Sequence, residues 1–574
     1  MSIASVGDKN MDIQPQFTNL STLLTNRLFR IPRYQRAYSW HRKQREDMFN
    51  DIKMLRGNSE SNHFMATVVG LRRGLTTIVT DQYRVVEVVD GQQRITTLVI
   101  LLKAIEQNLD RRIKDEKKLA SELEELLVKQ DELSLVLLQT NHDKSHYFSN
   151  YIRSGERVDI KGVRTIADRE ILSAIEDCDN FVSAWEDKIE LLRIIKNQLT
   201  FIFHEIDNEE TVYTVFEVLN NRGLRVSWLD RLKSMLMGVA FQKSMGNVNE
   251  HIEELHNIWG NIYEAIGLRQ GLSGEALKFA ASLKSKNRPS KPHSEESAVQ
   301  LFMELCDGKA EKSIKLSYWL LEVAKAVDSF LGDTFRSKAV TNIAQARLLA
   351  VSILLSSFSD EEKRLLLDKW EKTSFRVYGL CAKDARTAIG DYVRLAWDVL
   401  NTPRITSEEV KQRLDRFSEG KEHDINEAIR QLQNENCYEG WEEELRYLLY
   451  RYEEHLSENK GQDFSNEQWA RIWEASAAKS IEHIFPQSKG ALEYIEPGQP
   501  GIFVHRLGNL LLLPPGLNSV LADKDPVDKA ESYRSTGLHC ATEVANMISE
   551  GGWANEQIEE REKNIIKWVR ETWA

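Results

Sequence analysis

Long hydrophobic runs and paired cysteines are both missing from this sequence. No apolar stretch approaches the roughly 20 residues that a membrane-spanning helix needs, and the N-terminus lacks the basic and apolar segments of a secretory signal. The five cysteines form no CxxC pair and are odd in number, which argues against a zinc knuckle and a disulfide framework. We therefore expect a cytoplasmic protein without a membrane partner.

Positive charge is scarce over the whole chain but concentrated at its N-terminus. The net charge of −12 argues against nucleic-acid binding, yet residues 1–45 carry eight basic side chains and two acidic ones. DNA responds to local patches rather than to net charge. The basic region is interpreted either as a solvated face or as a surface that contacts phosphates, and the candidates for DNA contact in it are Arg42, Lys43 and Arg45.

The apolar pattern changes twice along the chain. Segments rich in Val and Thr predict strands at 62–72 and 83–89, and a short apolar segment predicts another at 201–206. From about 241 to 470 the periodicity is almost entirely helical. After that point, short strands and turns precede a final amphipathic helix. The sequence thus predicts an α+β, mostly helical protein.

The length requires more than one domain, because single hydrophobic cores stop growing at roughly 250–300 residues and the chain has 574. Polar stretches at 284–297 and 455–467 predict a loop and a boundary. The predicted domains are 1–240, 241–469 and 470–574.

A cluster of polar residues marks the C-terminal region. Glu482 and His483 are adjacent at the end of a predicted strand, so their side chains leave it in different directions. One can hold a hard divalent cation while the other acts as a base towards water at a phosphate. Asn509 begins a second predicted strand, and Asn518 lies on a short helical segment near enough to return to the metal. A lone Glu-His pair is usually an ordinary surface pair, but this ordered combination is much rarer.

This ordered set resembles the HNH, or ββα-metal, nuclease motif. The resemblance implies that His483 is the general base, that Asn509 orients it, and that Glu482 and Asn518 hold Mg²⁺ or Mn²⁺. Glu in place of the commoner Asp before the base departs from the family pattern, whereas Asn in the last position is an accepted variant. Two more candidates for DNA contact are His505, which either touches phosphate or braces the turn, and Lys524.

Residues 89–98 (VDGQQRITTL) combine a strand end, a glycine and a helix start. Free backbone N–H groups and the helix dipole favour an anion at such a point. Arg94 adds a bidentate phosphate donor, Gln92 and Gln93 add neutral donors, and Asp90 could bind Mg²⁺ or polarise water. The alternative interpretation is an Asp N-cap on an ordinary strand–helix turn. The absence of GK[ST] excludes a Walker A loop.

Residues 31–40 (IPRYQRAYSW) form another N-terminal motif. Together with DGQQR at 90–94 and FEVLNNRGL at 216–224, it resembles the ParB/sulfiredoxin-like N-terminal domain of GmrSD-type restriction enzymes, and the HNH-like motif resembles their other half. The resemblance covers roughly 15–240 and 470–574 and implies a fused, type IV, modification-dependent enzyme. The nucleotide-binding residues that it implies are Asp90, Gly91, Gln92, Gln93, Arg94, Arg33, Gln35 and Arg36.

We therefore expect an NTP-regulated, metal-dependent endonuclease or nickase that restricts foreign double-stranded DNA, in particular modified phage DNA. Two other functions stay open: a ParB-like nucleotide or DNA sensor with an inactive nuclease scaffold, and a toxin-like nuclease acting on RNA or host DNA. The sequence identifies neither the preferred nucleotide nor the DNA modification. A homodimer and a partner protein from a defence system are both compatible with it.

Overall fold

The computed structural model describes residues 15–574 except 34, 59–60, 130–135, 141–145, 159–162, 207–226, 244–247, 270, 334, 341, 419–422, 435, 463, 465–471, 474 and 490–502. Over the described residues the fold is α+β and mostly helical, as predicted, with a small mixed sheet. Backbone contacts divide the chain into two compact units. The first contains Met1–Leu277 and Glu295–Lys325, and the second contains Lys278–Ser294 and Ala326–Ala574. The three-domain division expected from the sequence stays a prediction.

The sheet of the first unit has six strands: β1 (Pro15–Asn19), β2 (Arg27–Arg30), β3 (His63–Ile78), β4 (Asp81–Asp90), β5 (Leu138–Gln139) and β6 (Leu199–Ile206). Their order is β1-β6-β3-β4-β2-β5. The β1–β6 and β3–β4 pairs are antiparallel, whereas β3–β6, β2–β4 and β2–β5 are parallel. The three strands predicted from the sequence are confirmed as β3, β4 and β6.

The long hairpin of β3 and β4 extends beyond the strand predicted at 62–72. Residues 72–75 of β3 are exposed, because this part of the hairpin has no apolar face to bury.

Helices surround this sheet, and the helix after the DGQQR motif lies at the centre. All its residues are buried except Arg94, Gln107 and Asn108, which explains its continuous apolar run. The helices that begin in the first unit are α1 (Leu20–Leu24), α2 (Arg42–Lys53), α3 (Gln92–Asn108), α4 (Lys114–Leu127), α5 (Tyr147–Ser154), α6 (Ile166–Ser183), α7 (Lys188–Arg193), α8 (Trp228–Lys243), α9 (Val248–Ile266), α10 (Leu272–Leu283), α11 (Glu295–Cys306) and α12 (Ala310–Asp333). A π-helical turn, Ile194–Gln198, follows α7.

The second unit is built from helices and one two-stranded sheet. Strands β7 (Ile481–His483) and β8 (Leu510–Leu512) pair antiparallel. The helices are α13 (Ala344–Leu355), α14 (Asp360–Ser374), α15 (Ile389–Asn401), α16 (Ser407–Ser418), α17 (Ile425–Leu432), α18 (Glu442–Asn459), α19 (Ala477–Ser480), α20 (Pro515–Leu521), α21 (Pro526–Ser535), α22 (His539–Gly551) and α23 (Asn555–Trp573). Shorter helical turns are Phe335–Val340, Phe375–Leu380, Gln487–Lys489 and Leu507–Asn509.

Most of the secondary structure predicted for the C-terminal half is confirmed. The described part of 241–470 contains helices and loops and no strand. The polar loop predicted at 284–297 is confirmed over 284–294, whereas residues 295–297 already belong to α11. The final amphipathic helix is α23. The sequence did not single out α21 and α22, which lie between β8 and that helix.

Candidate functional site

His483 ends β7 and is buried beside a cluster of polar rings. Its Nε2 lies 3.2 Å from Nδ1 of His505 and 2.9 Å from the side-chain nitrogen of Gln487. The ring of Tyr438 meets His483 edge-on, with 4.7 Å between centroids, and stacks on His505 at 5.5 Å. Burial, helped by His505 and Lys529, lowers the pKa of His483 to about 3. The imidazole is therefore neutral at physiological pH, which is the form that accepts a proton.

Asn509 holds the backbone that follows His483. Its Oδ1 accepts hydrogen bonds from the backbone N–H of Phe485 and from the indole N–H of Trp553, both at 2.9 Å. Its Nδ2 donates to the carbonyls of Phe485 and Val504, at 3.1 and 2.8 Å. These four bonds satisfy a fully buried amide. Asn509 thus acts on the position of His483 through the chain rather than by touching the imidazole.

The glycine before Asn509 is required by the last helix. A Cβ on Gly508 would lie 1.9 Å from the backbone oxygen of Ile558 in α23. From the same helix, the buried Arg561 donates to the carbonyls of Gly508 and Leu510, each at 2.8 Å. The Gly-Asn pair of the motif is therefore explained by close packing beneath the turn.

Glu482 faces the opposite side of β7 from His483 and is 2% exposed. Its Oε1 lies 2.7 Å from Nζ of Lys529 and accepts a hydrogen bond from the Tyr533 hydroxyl at 3.0 Å. Burial raises the pKa of Glu482, although Lys529 and Tyr533 act in the other direction. Oε2 of Glu482 makes no hydrogen bond or ion pair with any residue that the structure describes, which leaves it as the oxygen available to a ligand.

Asn518 is anchored to the same strand. Its Nδ2 donates to the carbonyls of Lys479 and Ile481, at 2.9 and 3.1 Å. Its Oδ1 has no partner in the described part of the chain. An amide oxygen and a carboxylate oxygen suit a hard cation such as Mg²⁺ or Mn²⁺ that keeps several waters. By chemical type, the free oxygens of Asn518 and Glu482 therefore suit the expected metal, although Lys529 would compete with it for Glu482.

No ready-made cage of protein ligands accompanies these two oxygens. Among residues 15–574 outside the gaps given above, no group of three or more His, Cys, Asp and Glu side chains is arranged to hold a metal ion. Waters would supply the remaining ligands of any ion. The roles of Glu482 and Asn518 as ligands stay predictions.

Several residues of this cluster carry no sequence signal that reveals their place. Tyr438 lies in the predicted domain 241–469, which is expected to be helical and holds none of the predicted site residues, and Lys529 and Tyr533 lie in α21. A spacing of four residues places Gln487 near His483, which is the one local hint. His505 contacts the candidate base, while Lys524 is exposed. Their predicted contacts with DNA stay predictions.

The DGQQR motif has the predicted strand–glycine–helix geometry. Asp90 ends β4, and Gly91 takes the N-cap position of α3 with φ of 88° and no side-chain cap. A Cβ on Gly91 would lie 3.0 Å from Cγ2 of Val68 and 3.3 Å from the oxygen of Thr67. The alternative interpretation, with Asp90 as N-cap, does not describe this turn, because the glycine occupies that position.

Hydrogen bonds join the two N-terminal motifs to each other. The Gln93 side chain accepts from the backbone N–H of Ser39 at 2.8 Å and donates to the carbonyl of Ala37 at 3.1 Å. The Gln35 side chain donates to the carbonyl of Val89 at 2.6 Å. Both amides are buried. Gln35 and Gln93 therefore shape the loop in this structure, and their predicted contact with nucleotide stays a prediction.

Charged side chains flank the start of α3. Arg94 is exposed and its guanidinium lies 5.7 Å from the centre of the Trp40 ring. Burial lowers the pKa of Arg36, against the opposing effect of Asp230 and Asp90. Burial also raises the pKa of Asp90, which the Gly91 N–H, Arg94 and Arg36 counteract. An uncapped helix start beside two guanidinium groups can bind an anion such as a phosphate.

The remaining basic candidates separate by burial. Arg33 and Lys43 are exposed, and Arg42 is exposed and paired with Glu46 at 2.9 Å. The prediction that Arg45 contacts DNA is wrong, because its side chain is buried. It is 1% exposed, and its guanidinium binds Asp177 at 2.7 Å and Glu170 at 3.3 Å. Its positive charge is compensated by these two carboxylates and does not reach the surface.

Two parts of the N-terminal motifs lie outside the described residues, namely Tyr34 and the stretch at 216–224. Ser227, which follows the second of these stretches, caps α8: its hydroxyl oxygen accepts a hydrogen bond from the backbone N–H of Asp230 at 3.1 Å. Over the described residues, none of the helices combines the length and apolar character needed to cross a membrane.

Comparison with known proteins gives matches at both ends of the chain. The family described as the GmrSD restriction endonuclease N-terminal domain matches residues 20–237. The family described as the GmrSD restriction endonucleases C-terminal domain matches residues 422–568, which include Tyr438 as well as the His483 cluster. No curated protein matches the chain. Together the two matched regions cover more than half of the residues, and the chain belongs to the GmrSD restriction endonuclease family.

Proposed function

We propose that this restriction endonuclease is a metal-dependent DNA endonuclease or nickase that cuts modified phage DNA and is regulated by a nucleoside triphosphate. The observation that carries the proposal is the setting of His483. It is buried, it lies within hydrogen-bonding distance of His505 and Gln487, and Asn509 holds the backbone of Phe485, two residues after it. A general base needs an unprotonated nitrogen in a fixed position within reach of the water that it activates.

In the proposed reaction, His483 takes a proton from the water that attacks the scissile phosphate. Asn509 keeps the base in place, and His505 lies beside it where it can contact the phosphate. Oε2 of Glu482 and Oδ1 of Asn518 would hold a hard divalent ion. When bound, such an ion supplies a Lewis acid that stabilises charge on the phosphate oxygens.

The regulatory nucleotide is proposed to bind with its phosphates at the start of α3. The support is the uncapped turn at Gly91, flanked by Arg94 and Arg36. Backbone N–H groups of a first helical turn and guanidinium groups are both suited to phosphate oxygens. NTP hydrolysis at this site would control when the nuclease acts.

The central test is cleavage by a His483→Ala variant. Loss of a general base typically lowers the rate about 10²–10⁴-fold, so plasmid cleavage should fall by this much while NTP hydrolysis stays close to wild type. His539→Ala is the matched control, because His539 lies in the same unit but bonds to Gln462 and Lys460 instead of the cluster. Wild-type cleavage by His483→Ala would refute the assignment of the base.

The metal and the substrate are tested in the same assay. Cleavage should require Mg²⁺ or Mn²⁺ and should stop in excess EDTA, because a carboxylate and an amide oxygen suit hard cations. Modified and unmodified phage DNA serve as paired substrates, with and without NTP. Full cleavage in EDTA excludes the metal, and equal cleavage of both DNAs excludes recognition of the modification.

A further inference from the structure

A cavity of about 490 Å³ lies in the first unit beside the loop at 36–39. Its walls come from that loop, the first turn of α6, and parts of α8, α9 and α10. This volume falls within the roughly 300–1,000 Å³ of typical small-molecule sites. The lining includes the apolar side chains of Ile166, Leu229 and Ile266 as well as the ring of Tyr263. Such a wall suits a flat, partly apolar group.

The cavity is joined directly to the DGQQR motif. Ala37 and Ser39, which line it, are the two residues that Gln93 of the motif holds by hydrogen bonds of 3.1 and 2.8 Å. Arg36 also lines the cavity, and it interacts electrostatically with Asp90 of the motif and with Asp230 of the cavity wall. A ligand could therefore lie partly in the cavity and partly at the start of α3.

Arg36 points to an anion at this junction. Its side chain is partly buried, and in the described part of the chain the guanidinium makes no hydrogen bond or ion pair. A guanidinium that loses water without gaining a hydrogen-bonded partner is costly, whereas a phosphate oxygen would satisfy it. Asp230, whose carboxylate is bonded by Tyr263 at 2.5 Å and Ser227 at 2.7 Å, interacts with it only at longer range.

We infer that this cavity receives the base and sugar of the nucleotide, with Arg36 placed between it and the phosphates at Gly91–Arg94. The inference rests on the proposed nucleotide site and adds where the nucleoside lies. Ile166, Leu229 and Ile266 cover the base, and the carboxylates of Asp230 and Glu264 supply acceptors for sugar hydroxyls. The ligand class is thus a nucleoside triphosphate whose nucleoside contributes affinity, rather than any polyphosphate.

The test compares inorganic triphosphate with ATP, GTP, CTP and UTP by calorimetric titration of the full chain. The best nucleotide should bind wild type about tenfold or more tighter than triphosphate, since each buried ligand atom adds affinity. Ser273 lines the cavity from the first turn of α10, and Ser273→Trp would fill it. That variant should bind the nucleotide no better than triphosphate, while the Kd of triphosphate stays unchanged. Ser273→Leu, with a smaller side chain, should give an intermediate loss.

Ser121→Trp is the matched control, because Ser121 is exposed on α4 and lies away from the cavity. It should bind all probes as wild type does. Wild-type nucleotide affinity in Ser273→Trp and Ser273→Leu would overturn the inference, as would equal binding of triphosphate and every nucleotide to wild type. In both cases the phosphate site proposed at α3 survives. If neither nucleotide nor triphosphate binds wild type, the proposed nucleotide site itself fails.

A base flipped out of modified DNA is the other occupant that the cavity could hold. If Ser273→Trp weakens binding of modified DNA and leaves nucleotide affinity unchanged, the cavity holds a flipped base and the inference that it holds the nucleoside is wrong. Circular dichroism of each variant establishes that it is folded, and Ser273→Leu keeps the test informative if the Trp variant does not fold.

Discussion

Lys529 is a fully buried charge that contacts both Glu482 and the backbone of His483. Its side chain is 0% exposed, and Nζ lies 2.7 Å from Oε1 of Glu482. The same ammonium donates to the carbonyls of His483 and Ile484, at 2.8 and 3.2 Å. Lys529 therefore compensates the charge of Glu482. It also fixes two successive backbone carbonyls, those of His483 and Ile484. Removal of one member of such a pair leaves a buried charge uncompensated.

At this residue, we predict that Lys529→Met lowers the free energy of unfolding by about 3–5 kcal/mol, the typical effect of breaking a buried ion pair. Tyr533→Phe is the matched comparison, because it removes only a neutral donor to the same Oε1. It should cost about 1 kcal/mol. Urea unfolding of both variants gives the two values. Equal losses would mean that the ion pair is not what stabilises this part of the site.

At the scale of elements, α8 is attached to the 31–40 motif by a buried lysine. Nζ of Lys233 donates to the carbonyl of Gln35 at 3.0 Å and lies 5.5 Å from the centre of the Tyr263 ring. Burial lowers the pKa of Lys233 to about 7, against the effect of Asp230, which raises it. Both Asp230 and Tyr263 are titratable groups that face this lysine. Stability of the contact between α8 and the motif should therefore depend on pH.

Lys233→Met tests this dependence. In the unfolded chain the lysine keeps its ordinary pKa of 10.5, so between pH 7 and 10 the unfolded state binds more protons than the folded state. The contribution of Lys233 to the free energy of unfolding therefore rises as the pH rises over this range. The wild type should gain stability relative to Lys233→Met between pH 7 and pH 9, measured as the difference in urea unfolding midpoints.

Lys118→Met is the control for that comparison, because Lys118 has a side chain that is 79% exposed and should show no such change. If the difference between wild type and Lys233→Met is the same at both pH values, the folded protein does not hold Lys233 at a lowered pKa. The carbonyl contact with Gln35 would then be made by an ordinary charged lysine.

At the scale of the whole molecule, only the exposed basic residues of the N-terminal region can contact DNA. Of the three candidates there, these are Arg42 and Lys43. We predict that Arg42→Glu combined with Lys43→Glu weakens DNA binding and flattens its dependence on salt, because fewer counterions are released from DNA. Arg45 is left unchanged, since its guanidinium is buried with Asp177 and Glu170. Binding at several salt concentrations measures the slope.

Lys117→Glu with Lys118→Glu is the matched control, a neighbouring pair of exposed lysines on α4. It changes the net charge by the same amount. If both double variants lose affinity equally, the effect belongs to net charge. An unchanged salt slope in the Arg42 and Lys43 variant would leave the interpretation as a solvated basic face.

Coupling between nucleotide and nuclease is the other prediction for the whole molecule. The two motifs are separated by almost four hundred residues, and a ligand shifts an equilibrium only through different affinities for two states. Because such coupling is reciprocal for binding, DNA should change nucleotide affinity or turnover. Asp90→Ala and Arg94→Ala should change cleavage although both are in the first unit. Unchanged hydrolysis with DNA, together with wild-type cleavage by both variants, would contradict this coupling.

The sequence by itself determined the features that depend on neighbouring residues. Enrichment in Val and Thr predicted β3 and β4, a short apolar segment predicted β6, and the order strand, glycine, helix predicted the turn at Gly91. The adjacency of Glu482 and His483 at a strand end also predicted that their side chains leave in different directions. These features follow from local backbone geometry and short-range burial, which the order of residues encodes directly.

Only the tertiary structure decided which charged groups are available. In the sequence, Arg45 is indistinguishable from the exposed Arg42 and Lys43. In the structure, Asp177 and Glu170 of α6 contact its guanidinium. Lys529 carries no motif, yet packing of α21 places it on Glu482. Tyr438 likewise contacts His483 and His505 from the predicted domain 241–469, outside the domain predicted for the nuclease. Each of these contacts joins residues distant in the chain, so their partners depend on how helices pack and not on any local pattern.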